Sequence, residues 1–167
     1  QLSIDTRGSL NAVGTNEQPI SFTSINGQPG GWNGIYFKNT SDDNGQQSLL
    51  KHCVVENGNS YNLFMASTWQ PELIEDCTFQ NSAEKGVHIE YFSHNFVNCN
   101  FLNSGTRGVD TYNMNNGACN FSNCNFENNG DYPLYFSSAT YMGTLENLTF
   151  SGNLLDGVVT WQGRLCA

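Results

Sequence analysis

Positive charge is scarce in this sequence: 6 Lys and Arg stand against 15 Asp and Glu, and charged residues make up only 13%. A nucleic acid or an anionic membrane surface needs a run of basic side chains, so both are disfavoured as partners. No stretch approaches the ~18 consecutive apolar residues of a bilayer-spanning helix. Helical periodicity is convincing nowhere, and C-x-x-C pairs are absent. The three histidines, His52, His88 and His94, do not join cysteines at zinc-finger spacing, so no metal site is expected. The first residue is Gln1 rather than Met, which suggests a processed product. Low charge, many uncharged polar residues and a pI near 4.5 suit an extracellular or cell-surface location. At 167 residues the chain reads as a single domain, 1–167, long enough to bury a core.

What is present is a repeat. Residues 121–130 read FSNCNFENNG and residues 96–105 read FVNCNFLNSG; IEDCTFQN (74–81), LKHCVVEN (50–57) and LENLTFSGN (145–153) follow the same frame. Its fixed position holds Cys53, Cys77, Cys99, Cys124 and Leu148, at spacings of 24, 22, 25 and 24. A second strand signal follows each, in NLFM, GVHI, GVDT, PLYF and GVVT, and GIYF (34–37) follows an earlier member of the first strand, PISF (19–22); the inward residues are Ile35, Leu63, Val87, Val109, Leu134 and Val158. Short alternating strands at this period, without helices, predict a solenoid of about six coils with two strands in each. Equivalent strands would form parallel sheets, and six coils would rise ~29 Å at ~4.8 Å per coil. Residues 1–27 read as an incomplete first coil and 38–49 as a loop insertion.

Four cysteines at one repeat position should point inward and stack as small hydrophobes, so mostly free, buried thiols are expected. Cys119 and Cys166 lie outside that register. Asn57, Asn81, Asn103 and Asn128 fall where the chain turns sharply, and Asn tolerates left-handed backbone while its amide bonds above and below. They are expected to form a structural ladder rather than to hold a ligand.

These residues carry a resemblance. The I-x-N-C-x-F-x-N-N style repeat is similar to that of the right-handed parallel β-helix family. GSLNAVGTNEQPISFTS followed by GWNGIYF and SLLKHCVVENG resembles the opening run of a group of secreted bacterial and archaeal surface proteins. The match covers residues 8–163. It implies an all-β, right-handed parallel β-helix, a fold that hosts lyases, hydrolases, epimerases, adhesins and spikes, so it specifies function weakly.

Alternation places Tyr36, Phe64, His88, Asp110, Tyr135 and Val159 in one outward row. Lys38, Ala66, Glu90, Tyr112, Ser137 and Trp161 form the next, with Lys85 and Arg107 on the turns just before. An aromatic strip with interleaved carboxylates suits a polysaccharide, through Tyr36, His88, Glu90, Asp110, Tyr112, Tyr135 and Trp161. Cross-strand packing, or cover by another subunit, is the more ordinary account of it. As an enzyme, Glu90 and Asp110 would be the acid–base pair of a lyase or glycoside hydrolase, with His88 carrying protons. The motifs of polygalacturonases and pectate lyases are absent, which favours a non-catalytic structural or adhesive role.

Within the insertion, Asp42 and Asp43 are a weak calcium candidate and Asn39 is the most plausible glycosylation acceptor; Asn147 reads as a turn residue. The outward row Ser21, Val54, Thr78, Asn100, Asn125 and Thr149 lacks the two-column Thr array of ice-binding solenoids. Neither end shows a capping helix, so either the piece is cut from a longer β-helix, an enzyme's among them, or copies stack head to tail into a fibre, which is the alternative partner contact.

Overall fold

The computed structural model describes residues 1–5, 8–38, 48–66, 71, 73–114, 117–137, 143–155 and 157–161, with backbone only at 161. Nineteen short strands and no helix occur among them. In chain order they are β1 (Leu2–Ile4), β2 (Asn11–Val13), β3 (Ile20–Phe22), β4 (Ile35–Lys38), β5 (Leu49–Lys51), β6 (Cys53–Glu56), β7 (Tyr61–Ala66), β8 (Leu73–Glu75) and β9 (Thr78–Gln80). There follow β10 (Lys85–Glu90), β11 (Asn95–Val97), β12 (Asn100–Leu102), β13 (Val109–Tyr112), β14 (Asn120–Ser122), β15 (Asn125–Glu127), β16 (Leu134–Ser137), β17 (Leu145–Glu146), β18 (Thr149–Ser151) and β19 (Val158–Trp161).

Every third strand pairs in parallel with the next of its kind. Sheet A runs β1-β4-β7-β10-β13-β16-β19, sheet B β2-β5-β8-β11-β14-β17, and sheet C β3-β6-β9-β12-β15-β18. The chain is therefore an all-β parallel solenoid. Each turn carries three strands, not the two expected from the sequence. The repeat FVNCNFLN is two strands, β11 and β12, broken at Asn98, whose φ of 53° is left-handed. His52, Asp76, Asn123 and Asn147 occupy the same corner with φ of 48–54°. Residues 1–27 contribute one strand to each of the three sheets.

The core lies along the axis. From β4 to β15, four full turns of three strands, every inward position is sealed. Phe79, Phe101 and Phe126 form one stacked column, with centroids 5.6 and 4.7 Å apart. Phe96 and Phe121 form another at 5.0 Å and 5° between planes. The two columns meet edge to face, as at Phe96 and Phe101, the arrangement that ring quadrupoles favour. Each fully buried Phe contributes ~1.5–3 kcal/mol. Exposure rises at the far end, where Phe150 of β18 continues the first column with one-third of its surface in solvent (37%).

Rungs approach closely at the turns. A Cβ on Gly130 would lie 2.2 Å from the Gly105 carbonyl oxygen, and one on Gly105 2.1 Å from that of Ala83. Only glycine allows that backbone contact.

Candidate functional site on sheet A

Sheet A brings the outward rows into strict register. Tyr36 pairs with Phe64, Phe64 with His88, His88 with Asp110, Asp110 with Tyr135 and Tyr135 with Val159. The second row runs Lys38, Ala66, Glu90, Tyr112, Ser137 and Trp161. The side chain of Trp161 lies outside the described residues.

At the centre of the strip sits an ion cluster. Asp110 points outward from the barrel yet is only 3% exposed, because its neighbours cover it. Lys85 Nζ lies 2.9 Å and His88 Nδ1 2.8 Å from its Oδ2, and Arg107 Nη1 donates to its Oδ1 at 2.5 Å. Burial by itself would raise this carboxyl. The hydrogen bond from His88 and the charge of Lys85 outweigh it and hold the group at about 2. Arg107 also reaches Asp131, Nε to Oδ2 at 3.7 Å. The chain of contacts continues outward, for His88 Nε2 lies 3.1 Å from Oε1 of Glu90. An ionised carboxylate only accepts, so both contacts are hydrogen bonds when each ring nitrogen carries a proton.

Aromatic groups flank this cluster and pack on one another. Tyr36 stacks on Phe64 at 4.8 Å, Tyr61 meets Phe64 edge-on at 4.9 Å, and Phe64 meets the His88 ring at 4.8 Å. Burial pushes the Tyr61 phenol up, aided by Tyr36, so it stays a neutral donor. On the other flank the Arg107 guanidinium lies 3.9 Å above the Tyr135 ring, and Tyr132 is 5.5 Å from Tyr135. Cross-strand packing thus accounts for most of these ring faces. Tyr112 differs, at 48% exposed.

Tyr61, Tyr132 and Asp131 were not singled out by the sequence reading. Tyr61, like Lys85, precedes an inward strand residue by two positions and is in register with it; Arg107 and Tyr132 hold the same place, and that recurrence was the available signal. Alternation along the strand could not show it, because these residues lie at the strand's entry.

The chemistry open to Glu90 and Asp110 is unequal. Held at about 2 and buried, Asp110 is an anion at any ordinary pH and cannot serve as a proton donor; its geometry orients His88. Glu90 is engaged by His88 through Oε1, and its side chain is 24% exposed. Two shallow hollows, of about 210 and 170 Å³, lie elsewhere, beside Phe150 and Leu155 and beside His52 and Asp76.

The remaining expected positions divide clearly. Cys53, Cys77, Cys99 and Cys124 are buried, free and stacked, and each thiol donates to the carbonyl two residues earlier, as Cys77 does to Glu75 at 3.2 Å. Burial raises the thiol of Cys99 well above its usual range and that of Cys119 to about 12. Asn57, Asn81, Asn103 and Asn128 all have φ of 53–64°. Their ladder is partial: Asn103 Nδ2 donates to Asn81 Oδ1 at 3.3 Å, but Asn57 turns to Thr23 and Asn128 to Glu127. Of the four only Asn57 is buried, and Asn62 and Asn129 are buried with it, the last bonding Phe101 O and the Ser104 amide. A left-handed corner needs only the backbone of its Asn, so the side chain is free to choose. Among the described residues no group of three or more His, Cys, Asp or Glu is placed to hold a metal. Asn39, Asp42, Asp43 and Cys166 lie outside the described residues.

Comparison with protein-family models, with curated proteins and with solved structures gave no match; what can be said of this chain therefore rests on its own residues.

Proposed function

We propose that the chain is a non-catalytic extracellular module, a right-handed parallel β-helix of about six coils of the kind its repeat resembles. It serves as a structural or adhesive surface subunit, with the sheet A strip as its contact for a glycan chain. The hand follows the strong preference of parallel strand crossovers. The observation that carries the non-catalytic reading is the enclosure of Asp110. The carboxylate is nearly covered and both its oxygens are taken by Lys85, His88 and Arg107, which keeps it from a substrate as the nucleophile or base that glycoside hydrolysis needs beside its acid. The runner-up is a polysaccharide-active enzyme working through Glu90 and His88.

The test is retention of the protein on a panel of immobilised polysaccharides, with the eluates assayed for released oligosaccharides. Retention without release is expected; release that disappears in Glu90→Gln would establish the enzyme instead. A fibre is the second form of this reading, favoured by the one-third exposed ring of Phe150, which shares a hollow with the exposed Leu155. Electron microscopy would then show filaments with an axial repeat of ~29 Å.

A further inference from the structure

The strip contains a built chain of groups that ends at one carboxylate. Lys85 and Arg107 clamp Asp110; Asp110 fixes one nitrogen of His88 at 2.8 Å, and the other nitrogen fixes Glu90 at 3.1 Å. Phe64 packs against the His88 ring in a T-shaped contact at 4.8 Å, so the imidazole, bonded at both nitrogens, has little freedom to turn. Glu90 Oε1 takes the His88 contact, which leaves Oε2 to accept from a ligand. On the next rung, in register with Glu90, stands Tyr112, the exposed ring of the strip.

We infer that Glu90 and Tyr112 form a sugar subsite for an uncharged, hydroxyl-rich glycan, with His88 and Asp110 as positioning residues. This rests on the glycan-contact reading above and narrows it to one ligand class and one place. The second oxygen of a carboxylate held in a fixed rotamer accepts a short charge-assisted bond from a sugar hydroxyl. An aromatic ring one rung away, ~4.8 Å along the axis, takes the apolar face of the same or the adjoining pyranose. Pre-organisation matters, because a free Glu side chain would lose rotamer entropy on binding.

Charge selects against acidic glycans. The two cations at the centre are already engaged by Asp110, and Arg107 additionally by Asp131 and the Tyr135 ring. Among the described residues neither Lys85 nor Arg107 is left to receive a uronate or a sulfate, Lys38 stands two rungs from Glu90, and Glu90 would repel either. The net charge of −9 acts in the same direction.

Titration calorimetry with neutral hexose hexamers (gluco-, manno- and galacto-oligomers) and with an oligogalacturonate tests this. At least one neutral oligomer is expected to bind and the uronate is not. Glu90→Gln and Tyr112→Ala should each weaken binding about tenfold or more, the loss of one charge-assisted hydrogen bond or one ring contact. His88→Gln should weaken it less and through a more unfavourable binding entropy, which a merely structural role would not produce. Thermal midpoints of each variant control for folding. Preferential binding of the uronate would overturn the inference and leave the strip a glycan surface. Neutral binding unaffected by Glu90→Gln and Tyr112→Ala would overturn it too, placing the sugar elsewhere. Binding of no oligomer at all would remove both this inference and the glycan reading beneath it.

Discussion

Nδ1 of His88 lies 2.8 Å from Oδ2 of Asp110 on the neighbouring rung, and this single contact joins a buried acid to the surface. Because the folded-state carboxyl sits at about 2 against an ordinary 3.8, the unfolded chain binds the proton first as pH falls. The stabilisation from Asp110 is therefore complete above about pH 4 and disappears as pH drops through 2. It amounts to about 2 kcal/mol at most. Urea midpoints of wild type and Asp110→Asn, followed from pH 6 to pH 2, should converge at the acid end. Parallel curves would show that Asp110 does not carry this dependence.

The corner residue Asn98 separates backbone from side-chain effects. Its φ is 53° and its Nδ2 donates to Asp76 Oδ1 at 3.0 Å. Asn98→Ala should destabilise the fold by about 1–2 kcal/mol, through a left-handed Cβ penalty and a lost hydrogen bond. Asn98→Gly should recover much of that loss, since glycine adopts the same φ freely. Equal losses in a denaturant titration would assign the whole cost to the amide.

Column packing predicts unequal costs for the same deletion. Phe101 is fully buried between Phe79 and Phe126, and Phe101→Ala should cost about 3–5 kcal/mol. Phe150 closes the same column but is 37% exposed, so Phe150→Ala should cost clearly less. Calorimetric unfolding of the two variants checks the order; similar values would mean that another copy or the chain's own later residues cover Phe150.

The cysteines should be chemically silent. Five thiols are buried and free. Those of Cys77, Cys99 and Cys119 are pushed up and held neutral, and a neutral thiol is a poor nucleophile. Those of Cys53 and Cys124, drawn down by the neighbouring thiols of Cys77 and Cys99, are shielded by burial alone. A thiol reagent should find these five only after unfolding in denaturant, whatever Cys166 adds. Native labelling of Cys99 or Cys119 would contradict their position.

Much of this architecture could be read from the sequence because a solenoid writes its rungs as a period. The inward residues Leu63, Val87, Val109 and Leu134 and, apart from the side chain of Trp161, the outward rows of sheet A fall where alternation puts them. The third strand of each turn was missed although a signal was there. Phe96, Cys99 and Phe101 all face inward, and a gap of three followed by a gap of two breaks a period-2 pattern, so a turn must lie between. The ion cluster was half visible: Glu90, His88 and Asp110 were placed in adjacent rows. Burial of Asp110 was not, since it depends on how far Lys85 and Arg107 fold back from their turns.

The rung-by-rung pairing has a consequence for how the molecule opens. Each strand bonds only to its counterparts one turn before and one turn after, so the rungs behave as a linear array and loosen from an end rather than all at once. Amide hydrogens should exchange along a gradient. Those of β7 to β12 should be slowest, and those of β17 and β18, whose residues are mostly exposed, should be among the first to go.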